Sequence, residues 1–338
     1  MIHPKIVRKQ RITLVVLIIA LIASMAFAMT TGEFKMSFIQ FFKTLFGQGN
    51  ELDSMVLYEF RMPRMLITIL AGASLALSGA ILQSVTKNPL AEPGILGINA
   101  GSGFMIALFL VVGTVQPGDF VYVLPMVSMV GGVATAMVIF MFSYKKGEGI
   151  NPVRMVLIGV GLSTALSGAS ITIMSTFDQD QMEFIARWFA GNIWGDEWPF
   201  VFAFIPWLII VMPFLFYKAN VLNVLSTNEQ ISVSFGINNN RERILLVFLA
   251  VVLSSAAVSV AGGIGFVGLM GPHIARSIVG PRHQLYLPIA VLNGAILLVV
   301  ADTIGKIVLE PNGLPAGIIV AIVGAPYFLY LMQKSAHI

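Results

Sequence analysis

The sequence contains no cysteine. Disulfide bridges, thiolate metal sites and cysteine nucleophiles are therefore excluded. Charge is scarce as well. Asp, Glu, Lys and Arg make up 11% of the 338 residues, where soluble domains carry about a quarter. Nowhere does the chain read Gly-x-x-x-x-Gly-Lys-Ser/Thr, so it brings no phosphate loop of its own. No catalytic triad or carboxylate pair stands out, and the four histidines lack zinc-site spacing. The chain is not expected to be an enzyme, to hold a metal or cofactor, or to bind nucleic acid.

What is abundant is apolar: 57% of the residues are hydrophobic. Runs of 18 or more recur, and short strictly alternating runs are missing. A polytopic all-α membrane protein is expected rather than a barrel. The predicted spans are 12–30, 65–85, 94–115, 121–144, 155–176, 199–217, 244–261, 265–279, 287–309 and 314–331. These ten spans form one membrane domain over 1–338, with both termini on the same side. Ala26-Phe27-Ala28 looks like a signal-peptidase site, but the run 12–30 that contains it is longer than a usual signal core, so the first span is expected to be retained.

Charge placement sets the orientation. With the N-terminus inside, the inner segments hold Lys5, Arg8, Lys9, Arg11, Lys87, Lys145, Lys146, Arg154, Lys218, Arg241, Arg243, Arg276, Arg282 and Lys334, which is 14 of the 20 basic residues. The outer segments hold only Lys35, Lys43, Arg61, Arg64, Arg187 and Lys306. That excess of basic residues predicts cytoplasmic termini in a cell membrane. Two outer segments, 34–60 and 178–198, carry amphipathic stretches. They are expected to lie in the interface, with Trp188, Trp194 and Trp198 near headgroup depth.

The longest polar interruption is 221–240, on the inner side. Val221, Leu222, Val224 and Leu225 suggest one short helix, Ser226 or Thr227 can cap a second, and Gly236 suits a helix end. It reads either as a solvated loop or as two short helices that another protein could push on. A faint internal echo is also present. In each half a long span runs into a Gly-rich break and a shorter helix, around 88–103 and 262–272. The first break is placed at the inner face and the second at the outer, as two inverted five-helix halves would require. Such interruptions point to a transport path.

Several blocks carry a resemblance. They are Arg61-Met-Pro-Arg64, Gln83, Asn88-Pro-Leu-Ala-Glu-Pro-Gly-Ile-Leu-Gly97 and Gly265-Phe-Val-Gly-Leu-Met-Gly-Pro-His-Ile-Ala-Arg276. Ala301-Asp-Thr-Ile304, Leu314-Pro-Ala-Gly317 and Gly324-Ala-Pro-Tyr-Phe-Leu329 extend it. Over about 61–331 the chain resembles the permease subunits of ABC importers for iron–siderophores, haem and cobalamin. The resemblance implies a dimer with a second copy or a paralogue, two ATPase subunits beneath it, and an extracytoplasmic substrate-binding protein outside. It implies a coupling element at 221–240, including Leu222, Leu225, Glu229, Val233 and Gly236, and an inner gate at Asn88 and Leu90. It also implies docking of the binding protein's acids on Arg61, Arg64 and Lys306. The chain departs from the family at Gly305-Lys306 (usually Ala-Arg), at Gly313 (usually Glu) and at Ile150-Asn-Pro-Val153.

Each site has a plainer alternative. Arg61 and Arg64 share a face at the expected outer start of the second span, where the helix dipole disfavours two cations. They either meet an acidic partner or snorkel to lipid phosphates. Asp302 and Lys306 are four apart, so local pairing and docking are both open. Gln83 and Asn88 can simply end a helix, and His273 reads as a cap or packing residue. The expected function is import of a bulky metal chelate, iron–siderophore first, driven by a separate ATPase. Haem or cobalamin import and an ion-coupled secondary transporter are the alternatives.

Overall fold

The computed structural model describes residues 3–32, 34, 36–94, 96–112, 120–145, 149–227, 229–309 and 313–335. In chain order the helices are α1 (Pro4–Thr30), α2 (Phe38–Leu45), α3 (Glu51–Met55), α4 (Met62–Thr86), α5 (Ile98–Val112), α6 (Phe120–Ser143), α7 (Pro152–Met174) and α8 (Gln179–Phe189). Then come α9 (Trp198–Tyr217), α10 (Ala219–Leu225), α11 (Glu229–Ser234), α12 (Asn239–Ala261), α13 (Val267–Val279), α14 (His283–Val308) and α15 (Ala316–Ser335). A π-helical stretch, Val56–Arg61, joins α3 to α4, and a two-residue hairpin, β1 (Tyr144–Lys145) with β2 (Gly149–Ile150), joins α6 to α7. Eight helical segments are long and apolar enough to cross a membrane.

Local chemistry sets several boundaries. Asn151 accepts from the backbone of Val153 and Arg154, and Pro152 follows where a missing N–H costs nothing. Capping boxes start α2 (Ser37 with Gln40) and α8 (Asp178 with Gln181). Asn238 caps α12 by accepting from Arg241.

The core is built around α4, which packs against α9, α12, α13 and α14 and is buried over 83% of its apolar window. Small residues permit this. A Cβ on Gly72 would overlap the carbonyl of Gly294, and one on Gly79 would overlap that of Gly268. In a bilayer such close backbone approach supplies the packing that the hydrophobic effect cannot. By contrast α1 and α7 bury only 11% of their windows, which leaves broad apolar flanks.

Over the described residues, two of the predicted spans are short helices. α5 has 15 residues and α13 has 13, about 22 and 20 Å at the usual rise per residue, against a hydrocarbon core of about 30 Å. The breaks before them do not stay at opposite faces, as the sequence suggested. Each turns inward, and they meet. Gly97 lies against Ser163 in the middle of α7, and Gly268 against Leu75 and Gly79 in the middle of α4. At that depth Glu92 Oε2 accepts from the Phe266 N–H at 2.8 Å. Asn99 Nδ2 donates to the Ile264 carbonyl at 3.4 Å. Pro272 has no N–H to offer the carbonyl four residues back, and Gln83 Nε2 supplies the missing donor to Gly268 O at 3.2 Å. Irregular backbone at membrane depth is satisfied by protein, as it must be.

Two further expectations are corrected. The helix carrying Arg61 and Arg64 does not begin near them. It runs unbroken from Glu51, with Asn50 as cap and Glu51 and Asp53 in the first turn, so the dipole does not oppose the arginines. Nor does Trp188 face lipid headgroups. It is 1% exposed, packed against Gly103 and Phe189, because α8 inserts into the protein. The interfacial expectation suits α2 better, where Phe38, Ile39, Phe42 and Phe46 are exposed.

Candidate functional site: two faces and the breaks between them

One face of the bundle carries α8 and the loop before α9, and the other carries α10 and α11. On the α8 face the predicted docking cations are already engaged within the chain. Arg64 Nη2 lies 2.9 Å from Asp302 Oδ1, and Lys306 Nζ lies 2.6 Å from Asp302 Oδ2. Asp302 therefore pairs locally with Lys306 and also bridges to α4. Its side chain is 7% exposed, against 23% for Arg64 and 31% for Lys306, so the acid is the buried partner and the cations face outward. Asp196 adds a looser contact to Arg64 at 3.7 Å. Burial pushes the Asp196 carboxyl above its ordinary value, and Arg64 opposes that shift. Arg61 donates to the carbonyls of Met29 and Phe34, tying the end of α1 to the start of α4. Arg61, Arg64 and Lys306 stand close to Asp196 and Asp302, so within this cluster, though not over the whole face, cations outnumber acids.

The α10 face is different in kind. The segment 221–240 is not a slack loop. α10 and α11 form there, and Gly236 adopts φ +75° at the end of α11, a conformation that favours glycine. Ser226 and Thr227 do not start α11. Their hydroxyls donate back to Asn223 O and Val224 O and close α10 instead. The Lys218–Glu242 ion pair, 2.7 Å, staples the end of α9 to the start of α12 and holds the two ends of the excursion together.

Burial separates the predicted coupling residues. Leu222 and Leu225 are 0% and 2% exposed, so they anchor α10 to the membrane domain and cannot touch a partner. The outward surface is on and after α11: Ile231, Val233 and Phe235 are 47%, 61% and 71% exposed. Glu229 opens α11, and its side chain lies outside the described residues. Exposed apolar side chains on an otherwise polar surface mark a protein interaction site more than an isolated leucine would.

Between the faces lie the predicted gate residues. Asn88 Oδ1 accepts from Leu90 N at 3.0 Å and folds the chain back after α4. Leu90 packs with Leu269 and Met270 of α13 and Leu331 of α15. Lys87, in the left-handed conformation at φ +53°, donates from Nζ to Thr227 O at 2.5 Å, joining the gate loop to the α10–α11 corner. His273 meets the Tyr327 hydroxyl at 2.5 Å, a contact between α13 and α15.

Sequence reasoning quoted Glu92 only inside a motif and passed over Asn223, Ser84, His283 and Tyr286. Asn223 did carry a signal, being an amide set among Val221, Leu222, Val224 and Leu225.

The comparisons agree along nearly the whole length. The pattern of the FecCD transport family matches residues 16–334. The iron(3+)-hydroxamate import system permease protein FhuG of Bacillus subtilis is 36% identical over 331 residues, covering 97% of this chain and 98% of that one. The Fe(3+)-citrate import system permease protein YfmE of the same organism is 36% identical over 336 residues, covering 98% and 99%. The Fe(3+) dicitrate transport system permease protein FecD of Escherichia coli is 35% identical over 279 residues, covering 82% and 85%. Among solved structures, a metal-chelate type ABC transporter in an inward-facing conformation aligns with a TM-score of 0.81 at 27% identity, over 96% of this chain and 99% of that one.

Proposed function

The chain belongs to the FecCD transport family, and from that membership and the geometry above we propose that it is the membrane subunit of an ABC importer that carries a ferric chelate across the cell membrane. The α10 face is cytoplasmic and meets the ATPase. The α8 face is extracytoplasmic and meets a substrate-binding protein. A second copy or a paralogue completes the path.

The observation that carries the mechanism is the α10–α11 projection. It is stapled at its base by Lys218 and Glu242, gripped from within by Leu222 and Leu225, and apolar on its outer side at Ile231, Val233 and Phe235. A projection of that build can take a push without folding away. The outward edges of Arg64 and Lys306 suit acidic residues on a docking protein. Because Asp302 holds Arg64 and Lys306 from below, their outer edges remain for such a partner at little ordering cost. A ferric hydroxamate or citrate complex is the expected cargo, as it is for the named relatives.

An ion-coupled carrier would need an embedded acid free to bind the coupling ion. The two buried acids among the described residues, Asp302 and Glu92, are both engaged by partners of the fold. The test is uptake of radiolabelled ferric hydroxamate into proteoliposomes holding the chain with its ATPase and binding protein. Uptake should require ATP and survive a protonophore. Uptake that ignores ATP and collapses with the protonophore would refute the proposal.

A further inference from the structure

The wall behind α10 contains a polar chain that none of the roles above uses. Asn220 and Asn223 of α10 both reach Gln284 at the start of α14, and of the two it is Asn223 that also meets His283. Oδ1 accepts from the His283 backbone N–H at 3.0 Å and lies 2.8 Å from His283 Nδ1, while Nδ2 donates to Gln284 Oε1 at 2.7 Å. A backbone N–H can only donate, so the atom facing it is the amide oxygen, and the ring nitrogen beside that oxygen must carry hydrogen. His283 Nε2 then meets Ser84 Oγ of α4 at 2.6 Å. Ser84 lies 3.2 Å from the Tyr286 hydroxyl. Arg276 Nη2 donates to both, at 2.8 Å to Tyr286 and 3.2 Å to Ser84, with its guanidinium 4.7 Å from the Tyr286 ring centre.

The middle of the chain is shut away from water, with Ser84, His283 and Tyr286 4%, 2% and 0% exposed, while Asn223 and Arg276 at its ends are half-buried. A buried polar group left without its partner is costly, so the members of the chain hold one another's positions more firmly than surface contacts would. Arg276 stands in the last turn of α13, just before Gly280 turns the backbone away at φ +86°. The other end of α13 is the mid-depth break, where Glu92 holds the Phe266 N–H and Leu90 packs against Leu269 and Met270. α13 is thus a short rigid rod with one end on this chain and the other at the gate loop.

We propose that the buried chain Asn223–His283–Ser84–Tyr286–Arg276 is the link through which displacement of α10 reaches α13 and the mid-membrane breaks, which makes Asn223, His283 and Arg276 positioning residues of the transport cycle. This rests on the reading of α10–α11 as the ATPase contact. Lys87 and Thr227 form a second, solvent-exposed link whose single hydrogen bond competes with water, so the buried route carries most of the coupling.

The test uses the complete complex of this chain, ATPase and binding protein in proteoliposomes, with ferric hydroxamate as probe. Asn223→Leu should leave ATPase assembly and ATP hydrolysis little changed while cutting chelate imported per ATP by about tenfold, a usual size for coupling between sites. Asn223→Asp keeps an acceptor for both His283 donors and should restore most of the ratio. Arg276→Met, which keeps the stem, should produce a similar loss. The double variant Asn223→Leu/Arg276→Met should be no worse than about tenfold, rather than multiplicative, if both act through one link. An unchanged import-to-ATP ratio in Asn223→Leu would overturn the proposal. So would multiplicative losses, or a parallel loss of ATP hydrolysis that places Asn223 in the ATPase contact itself. Failure of the unmodified complex to couple uptake to ATP would instead refute the functional reading.

Discussion

In the proposed function the α8 face works through exposed charge, and the α10 face through shape and a polar chain behind it. On the α8 face, Asp302 sits under Arg64 and Lys306 and fixes two cations that a partner can reach only from outside. On the α10 face, apolar residues point out from α11 while a half-buried amide, a buried imidazole, two buried hydroxyls and a half-buried guanidinium run inward behind α10. The difference suits two kinds of partner. In the proposed function, a binding protein that must dock and leave would meet a screened, salt-sensitive surface. An ATPase that must pull and push would meet an apolar grip backed by contacts that tolerate little displacement.

The contrast can be broken at either end. The largest effect is expected from Val233→Asp combined with Phe235→Asp. Burying such side chains is worth about 2 kcal/mol each and burying a charge is unfavourable, so ATPase co-purification should fall to background while the membrane domain stays folded. Detergent pull-down reads this directly. Next comes Asp302→Asn. Removing the buried acid strands two cations, and breaking a buried ion pair costs about 3 kcal/mol or more, so thermal unfolding in detergent should show a clear loss of stability. No matching loss is expected for Glu183→Gln, which breaks an exposed helical pair with Arg187 worth about 0.4 kcal/mol.

A smaller effect separates docking from stability. Lys306→Gln leaves Asp302 paired with Arg64, so the fold should hold while affinity for the binding protein falls about fivefold at low salt and hardly at all at high salt. Arg64→Glu is a poorer probe, because it would set a second acid against Asp302. The smallest effect is expected at Lys87→Ala. Its hydrogen bond to Thr227 O is exposed and is worth about 1 kcal/mol at most, so transport should change by less than about fivefold. A loss at Lys87 larger than that at Asn223 would reverse the ranking of the two links.

Much of this architecture was legible from sequence, for identifiable reasons. Span positions follow from apolar runs, and the breaks at 87–97 and 262–266 follow from their proline and glycine. Gly236 announced a left-handed turn, and it has one. What escaped depends on distance along the chain. That Asp302 serves Arg64 needs a contact across 238 residues, and that Ser84 meets His283 one across 199. The early start of the α4 helix escaped because 51–61 is polar enough to read as loop, and a π-helical stretch carries it through. The inward position of Trp188 escaped because an amphipathic helix flanked by tryptophans looks the same whether its apolar face meets lipid or the glycines of a neighbouring helix. Leu222 and Leu225 were assigned to the coupling element without a side: periodicity shows which face is apolar but not what covers it.

The absence of native cysteine allows a direct measurement on the assembled importer. Spin labels at Ser234→Cys on α11 and Ser277→Cys on α13, both exposed positions, report the separation of the two helices by pulsed dipolar spectroscopy, with and without trapped ATP. If α10 and α13 move as one through the buried link, that distance stays constant while the distance from either label to Thr164→Cys on α7 changes. A nucleotide-dependent change between α11 and α13 themselves would show that they are not joined, and would contradict the account.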